Sequence, residues 1–88
     1  MLTKDQTAKL RAWVIARAKA YVSDAASYDD TCFTAADAAA HVGEPAKSLP
    51  VYNAIEALEL EDLIEWNRPS ATPGYWRPTA KAAREVAS

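Results

Sequence analysis

Cationic and hydrogen-bonding side chains gather in the short stretch from Lys47 to Asn53. Lys47 and Ser48 carry the charge and the hydroxyl that bind phosphate oxygens, and Asn53 carries an amide that can pair bidentately with an adenine edge. Tyr52 offers a ring that can lie against a base, a sugar–phosphate backbone or a protein. This chemistry favours nucleic-acid recognition. The alternative is that these residues form the solvated face of an ordinary helix.

An acidic run follows the same stretch and argues against nucleic acid. It consists of Glu56, Glu59, Glu61, Asp62 and Glu65. Phosphate repels such a run at short range, and every missing cation removes part of the counterion-release contribution to affinity. Two alternatives stay open: the run lies at the end of a helix away from DNA, or it forms, together with Tyr52, a surface that binds a protein.

Residues capable of covalent or metal chemistry are few. Cys32 and His41 are the one cysteine and the one histidine, so the sequence offers neither an internal disulfide nor a zinc site. Trp13, Trp66 and Trp76 are expected in the core or at an interface rather than around a ligand. We therefore expect no enzyme, no metal site and no cofactor.

Capping signals and helical periodicity predict a single, mostly α domain with a small β-hairpin. Thr3 and Gln6 have capping-box spacing, and Thr34 is a candidate N-cap that Asp37 can assist. Ser48 is a candidate N-cap for a third helix. The predicted elements are helices over 3–27, 34–42 and 48–61, a hairpin over 63–78 and a C-terminal helix over 79–87.

The same periodicity separates inner from outer positions. The inner positions of the first helix are Leu10, Trp13, Val14, Ala18, Tyr21, Val22 and Ala25, and those of the third helix are Val51, Ile55 and Leu58. The outer positions of the first helix are Lys4, Lys9, Arg11, Arg17 and Lys19. Aromatic side chains, Tyr52 and Trp66 among them, are expected to supply much of the bulky core, and Cys32-Phe33 can form a minimal strand.

The order of helix, turn with Gly43, helix and hairpin resembles the winged helix-turn-helix transcription regulators of bacteria, archaea and their phages. The resemblance is carried by residues 34–37, Gly43, Ile55, Leu58, 63–66 and 75–81. It implies that the third helix enters the DNA major groove and that the hairpin, as the wing, touches the minor groove or the backbone. The candidate DNA-binding residues are then Thr34, Lys47, Ser48, Tyr52, Asn53, Arg68 and Arg77.

Two features depart from that family pattern. Asp62 stands where a glycine is usual. The turn between Gly43 and Val51 is longer than typical and contains two prolines, which changes how the third helix would approach DNA.

Net charge and the distribution of apolar residues limit the kinds of partner that the chain can bind. The chain has 10 Lys and Arg against 12 Asp and Glu, a net charge of −2, so affinity for nucleic acid requires local clustering of cations. The sequence shows no signal-peptide pattern and no apolar run of membrane-spanning length, and we expect a cytoplasmic protein without a membrane partner.

The favoured function is a small regulator that binds double-stranded DNA as a homodimer, paired through its first and last helices. The alternative is a winged-helix protein-interaction module, such as a phage-encoded, anti-CRISPR-like inhibitor. Its protein-binding residues would be Tyr52, Glu56, Glu59, Glu61, Asp62 and Glu65.

Overall fold

Helices and one hairpin make up the fold in the computed structural model, which describes residues 2–23, 31–67 and 75–85. The elements within them are α1 (Lys4–Val22), α2 (Ala35–His41), α3 (Leu49–Leu60), β1 (Ile64–Asn67), β2 (Tyr75–Pro78) and α4 (Ala80–Arg84). The expectation of a mostly helical chain with a small antiparallel hairpin is confirmed.

Side-chain hydrogen bonds fix both ends of α1. The Thr3 hydroxyl accepts from the Gln6 N–H at 3.1 Å, and the Gln6 side chain accepts from the Thr3 N–H at 3.0 Å, which confirms the capping box. The helix ends at Val22, earlier than the predicted residue 27. There the Ser23 hydroxyl donates to the Ala20 carbonyl at 3.2 Å and so takes up a carbonyl of the last turn. Residues 24–30 lie outside the described part.

The short helix α2 is capped at its start and stopped by glycine. The Thr34 hydroxyl accepts from the Asp37 N–H at 3.2 Å, and the Asp37 carboxylate accepts from the Thr34 N–H at 3.0 Å. At the other end Gly43 has φ 78° and donates to Ala40 O, while the next N–H, that of Glu44, donates back five residues along the chain. This is the Schellman pattern, and the left-handed residue that it needs is the glycine.

The helix α3 ends in the same pattern, but Asp62 occupies the left-handed position. Asp62 has φ 61°, and its N–H donates to Glu59 O at 2.9 Å, while the Leu63 N–H donates to Leu58 O at 3.1 Å. The Asp62 carbonyl accepts from the Thr79 hydroxyl, which ties the end of α3 to the start of α4. Asp62, which stands where a glycine is usual, therefore adopts the left-handed backbone that glycine favours.

We expect Asp62→Gly to stabilise the protein. A left-handed conformation costs an L-residue roughly 1–2 kcal/mol, and glycine gives back part of this through its freer unfolded chain, so a net gain of about 0.5–1 kcal/mol is expected. Urea unfolding of the two proteins followed by circular dichroism measures it. Asp62→Ala is the control, because it keeps the Cβ and should gain nothing. A glycine variant less stable than the parent would contradict the expected strain in the backbone of Asp62.

The core lies between α1, α3 and the hairpin. Its fully buried side chains include Leu10, Val14, Ala18, Phe33, Ala38, Ala39, Val51, Ile55, Leu63, Ile64 and Ala82. The predicted inner face of α1 is wrong at its last turn, where Tyr21 and Val22 are 41% and 61% exposed and line a small cavity of about 80 Å³ with Pro78 and Ala80. The sequence pattern also missed Ile15, which is fully buried.

Arg17 corrects the predicted outer face of α1. Its guanidinium donates to the carbonyls of Thr31 and Cys32, each at 3.0 Å, and lies 4.6 Å from the centre of the Trp13 ring. An arginine can do this because its apolar stem packs along the protein while its planar head binds carbonyls. Arg17 thus fastens the segment ahead of α2 to α1.

Register in the hairpin decides where its aromatic side chains lie. Ile64 is opposite Pro78, both buried, and Trp66 is opposite Trp76. Alternate residues of a strand share a face, so the two tryptophans continue the buried face beyond the core. Phe33 adds an isolated bridge to this edge: it donates to Trp76 O at 2.9 Å and accepts from the Trp76 N–H at 2.7 Å.

The C-terminal helix is shorter than predicted. It runs over Ala80–Arg84 rather than 79–87, because Glu85 is already extended, and residues 86–88 lie outside the described part. It packs against α1 within the same chain. Lys81 donates from Nζ to the Glu61 carbonyl at 2.7 Å, which neutralises part of the α3 C-terminus.

Candidate interaction site

A groove of about 650 Å³ separates the start of α2, one side of α3 and the hairpin. Three aromatic side chains line it, Tyr52 from α3 and the facing pair Trp66 and Trp76 from the two strands; we call it the aromatic groove. The two indole centres lie 4.8 Å apart at 58°. Tyr52 is 46% exposed and Trp66 49%, so the prediction that both fill the core is wrong. Large rings in contact with solvent are available to a partner.

Polar side chains stand at the two ends of the aromatic groove. Thr34, the N-cap of α2, and Lys47, in the turn before α3, line it at one end, and Glu59 lines it from the last turn of α3. Since α3 rises 1.5 Å per residue, Glu59 lies roughly 15 Å along the helix axis from the turn that carries Lys47. The side chains of Lys47 and Glu59 have no ion pair with another described residue. The groove is therefore apolar in its middle and carries opposite charges at its ends.

The candidate DNA-binding residues do not share one surface. Thr34, Lys47 and Tyr52 meet at the aromatic groove, whereas Asn53 lines a separate groove of about 430 Å³ with Leu2 and Leu49. These positions separate because Tyr52 and Asn53 are consecutive on a helix and point about 100° apart.

The remaining candidates have other surroundings. Ser48 occupies the N-cap position of α3, where it is buried and its side chain makes no capping hydrogen bond. Arg77 forms an ion pair with Glu65 at 3.2 Å across the strands. Arg68 lies outside the described residues.

The outward side of α3 carries apolar and acidic residues. It consists of Leu49, Asn53, Glu56, Ala57 and Leu60, which we call the outer face of α3. Leu49 is 68% exposed and Leu60 86%. This face of a fully described helix contains neither Lys nor Arg.

The predicted acidic surface is divided by the fold. Glu61 binds Arg11 at 2.8 Å, and Glu65 lies with Arg77 on the hairpin face opposite the tryptophans. Asp62 forms the chain reversal after α3 with its left-handed backbone. Of the run, Glu56 stays on the outer face of α3 and Glu59 turns into the aromatic groove.

His41 is held by an aromatic contact. Its ring stacks on Trp13, with centres 4.9 Å apart and planes at 17°. Burial lowers the pKa of His41 below its usual value, and the nearby charges of Lys9 and Arg17 lower it further. A neutral imidazole packed in this way suits a structural role.

The tryptophan pair is the feature that the sequence did not reveal as a site. Trp66 follows buried Ile64 by two positions and Trp76 precedes buried Pro78 by two, so both share the core-side face once the register is known. The loop between the strands leaves that register undetermined in the sequence.

Across 2–23, 31–67 and 75–85, no helix is long and apolar enough to cross a membrane. Nor do three or more His, Cys, Asp or Glu side chains of those segments come together as metal ligands would. The chain matches no protein-family model, no curated protein and no solved structure in the three comparisons.

Proposed function

We propose that the chain is a winged helix-turn-helix domain that binds a basic protein partner. The observation that carries this proposal is the outer face of α3, where the reading helix of a DNA-binding domain would present polar and cationic side chains. Here Leu49 and Leu60 are exposed at its two ends, with Glu56 between them. Apolar surface with acidic neighbours complements a protein surface of positive charge and repels phosphate.

The arrangement of elements supports the winged-helix assignment. The turn at Gly43 joins α2 to α3, the hairpin follows α3, and α1 and α4 pack together behind them. The predicted homodimer through α1 and α4 stays a prediction. Within one chain these two helices pack against each other.

Four cations that are engaged within the chain also favour a protein partner. Arg11 and Arg77 are in ion pairs, and Arg17 and Lys81 donate to backbone carbonyls. Side chains held in this way are less available to bind phosphate groups. Each phosphate contact that is not made lowers both the affinity for DNA and its dependence on salt.

A DNA-binding regulator is the second candidate, and one observation favours it. Thr34, Lys47 and Tyr52 meet at the aromatic groove, beside the start of α3, where a hydroxyl, a cation and a ring would suit a DNA backbone. The two candidates differ in which macromolecule contacts the outer face of α3.

A photocrosslinking amino acid at position 60 distinguishes them in cells of the natural host. We expect a discrete covalent adduct with one basic protein, and none when the crosslinker replaces Ala16, an exposed residue of α1. In parallel, fluorescence anisotropy with duplex DNA from the upstream region of the gene, over a salt series, should show no binding. Tight DNA binding with a steep salt slope would overturn the proposal, as would equal adducts from positions 60 and 16 or no adduct from either.

A further inference from the structure

We infer that the aromatic groove binds an arginine side chain, presented by an extended segment of the protein partner. The guanidinium would stack on the Trp66–Trp76 pair and form an ion pair with Glu59. This inference rests on the proposed function and names the group by which the partner is recognised.

The rings supply the stacking surface. The Trp66 and Trp76 rings contact each other with their planes tilted by 58°, and both line the groove together with Tyr52 from α3. A cation over the face of an indole is attracted by its quadrupole, and tryptophan is the strongest of the aromatic residues in this respect. The chain shows the same contact internally, since Arg17 lies 4.6 Å from the Trp13 ring centre.

Glu59 supplies the opposite charge. It is half-buried in the lining of the groove, and its carboxylate has no ion pair with another described residue. A partly buried carboxylate is screened less than an exposed one, so a cation arriving beside it gains more. Lys47 stands at the other end of the groove. Because it repels a cation, the charge of the ligand is expected at the Glu59 end.

The charge and shape of the site favour arginine over other occupants. An apolar side chain would leave the charge of Glu59 without a partner, and a phosphate would be repelled by it. A guanidinium satisfies both parts of the site, because its planar face stacks on rings while its edge donates two parallel hydrogen bonds to a carboxylate.

The test uses a blocked arginine, N-acetyl-arginine N-methylamide, as the probe, titrated into the full chain. Nuclear magnetic resonance of the indole N–H groups reports on the three tryptophans separately. We expect saturable shifts for Trp66 and Trp76, and none for Trp13, which stacks on His41 away from the groove. The matching citrulline compound has nearly the same shape without the charge, and it should bind at least about tenfold more weakly.

Two variants test the roles of the carboxylate and the rings. Glu59→Gln should weaken binding of the probe about three- to tenfold, the size expected for a partly exposed ion pair. Glu85→Gln, at the end of α4 and outside both the groove lining and the outer face of α3, is its matched control and should leave binding of the probe unchanged. Trp66→Ala should abolish the shift of Trp76, whereas Trp66→Phe should retain it in part.

The outcomes separate this inference from the proposed function. Equal binding of the arginine and citrulline probes, or no response of Trp66 and Trp76, would overturn the arginine site. If position 60 still forms its protein adduct in that case, the proposed function stands without it. No adduct from position 60, or tight DNA binding with a steep salt slope, would remove the proposed function itself.

Discussion

Phe33→Ala is expected to bring the domain close to unfolding. Phe33 is 1% exposed, its ring meets the edge of Trp13 with centres 5.0 Å apart, and its backbone pairs with Trp76. Removing a fully buried phenylalanine costs about 3–5 kcal/mol, because the lost burial is added to an unfilled cavity. A domain typically has only about 5–15 kcal/mol of stability, so much or all of it should be lost.

Urea unfolding followed by circular dichroism measures this change. Phe33→Leu keeps most of the volume and should cost less than about 1.5 kcal/mol. Tyr52→Ala is a second control, since it removes an aromatic ring of similar size from an exposed position. An alanine variant at position 33 that unfolds with the same midpoint as Tyr52→Ala would contradict the central place of Phe33 in the core.

Arg17→Ala is expected to have the second-largest effect, about 2–3 kcal/mol of lost stability. The estimate reflects hydrogen bonds from a charged group to the carbonyls of Thr31 and Cys32, together with the contact on the Trp13 ring. The variant would leave those carbonyls to water and detach the segment ahead of α2 from α1.

Two substitutions show whether this effect belongs to the guanidinium. Lys19→Ala removes an exposed cation from the same helix and should stay within about 0.5 kcal/mol of the parent. Arg17→Lys keeps the charge but loses the planar fork, so we expect most of the loss to remain. Full stability of Arg17→Lys in urea unfolding would show that charge alone accounts for the contact.

Features set by neighbouring residues were predictable from the sequence. The caps at Thr3 and Thr34 follow from residues three positions apart, and their hydrogen bonds are present as predicted. The buried positions Val51, Ile55 and Leu58 follow from helical spacing. The resemblance to winged-helix regulators also marked Asp62 as unusual, although its left-handed backbone had to be seen in the structure.

Features set by distant residues were not predictable. Arg17 looked like a solvent-facing cation because nothing in the sequence shows that the carbonyls of Thr31 and Cys32 return to α1. The acidic residues looked like one surface because they are close in sequence, yet Glu59 enters a groove while Glu61 binds Arg11. A continuous run of charges is divided wherever a helix ends and a strand begins.

The candidate site was predicted in part. Lys47 and Tyr52 were singled out from the sequence, and both line the aromatic groove. Trp66 and Trp76 were assigned to the core or an interface because their shared face depends on strand register. The groove itself comes from packing α2, α3 and the hairpin together, which no single stretch of sequence encodes.

The bridge between Phe33 and Trp76 also bears on the order in which the molecule assembles. Contacts between α2 and α3 close short loops, whereas this bridge closes a long loop that contains both helices and the first strand. Because the entropy cost of closing a loop grows with its length, the helix pair can form early and the bridge must come late. A chain that has formed only its helix pair would already present Leu49 and Leu60, but not the groove beside them. Selectivity for a partner would then be gained only after this bridge has closed.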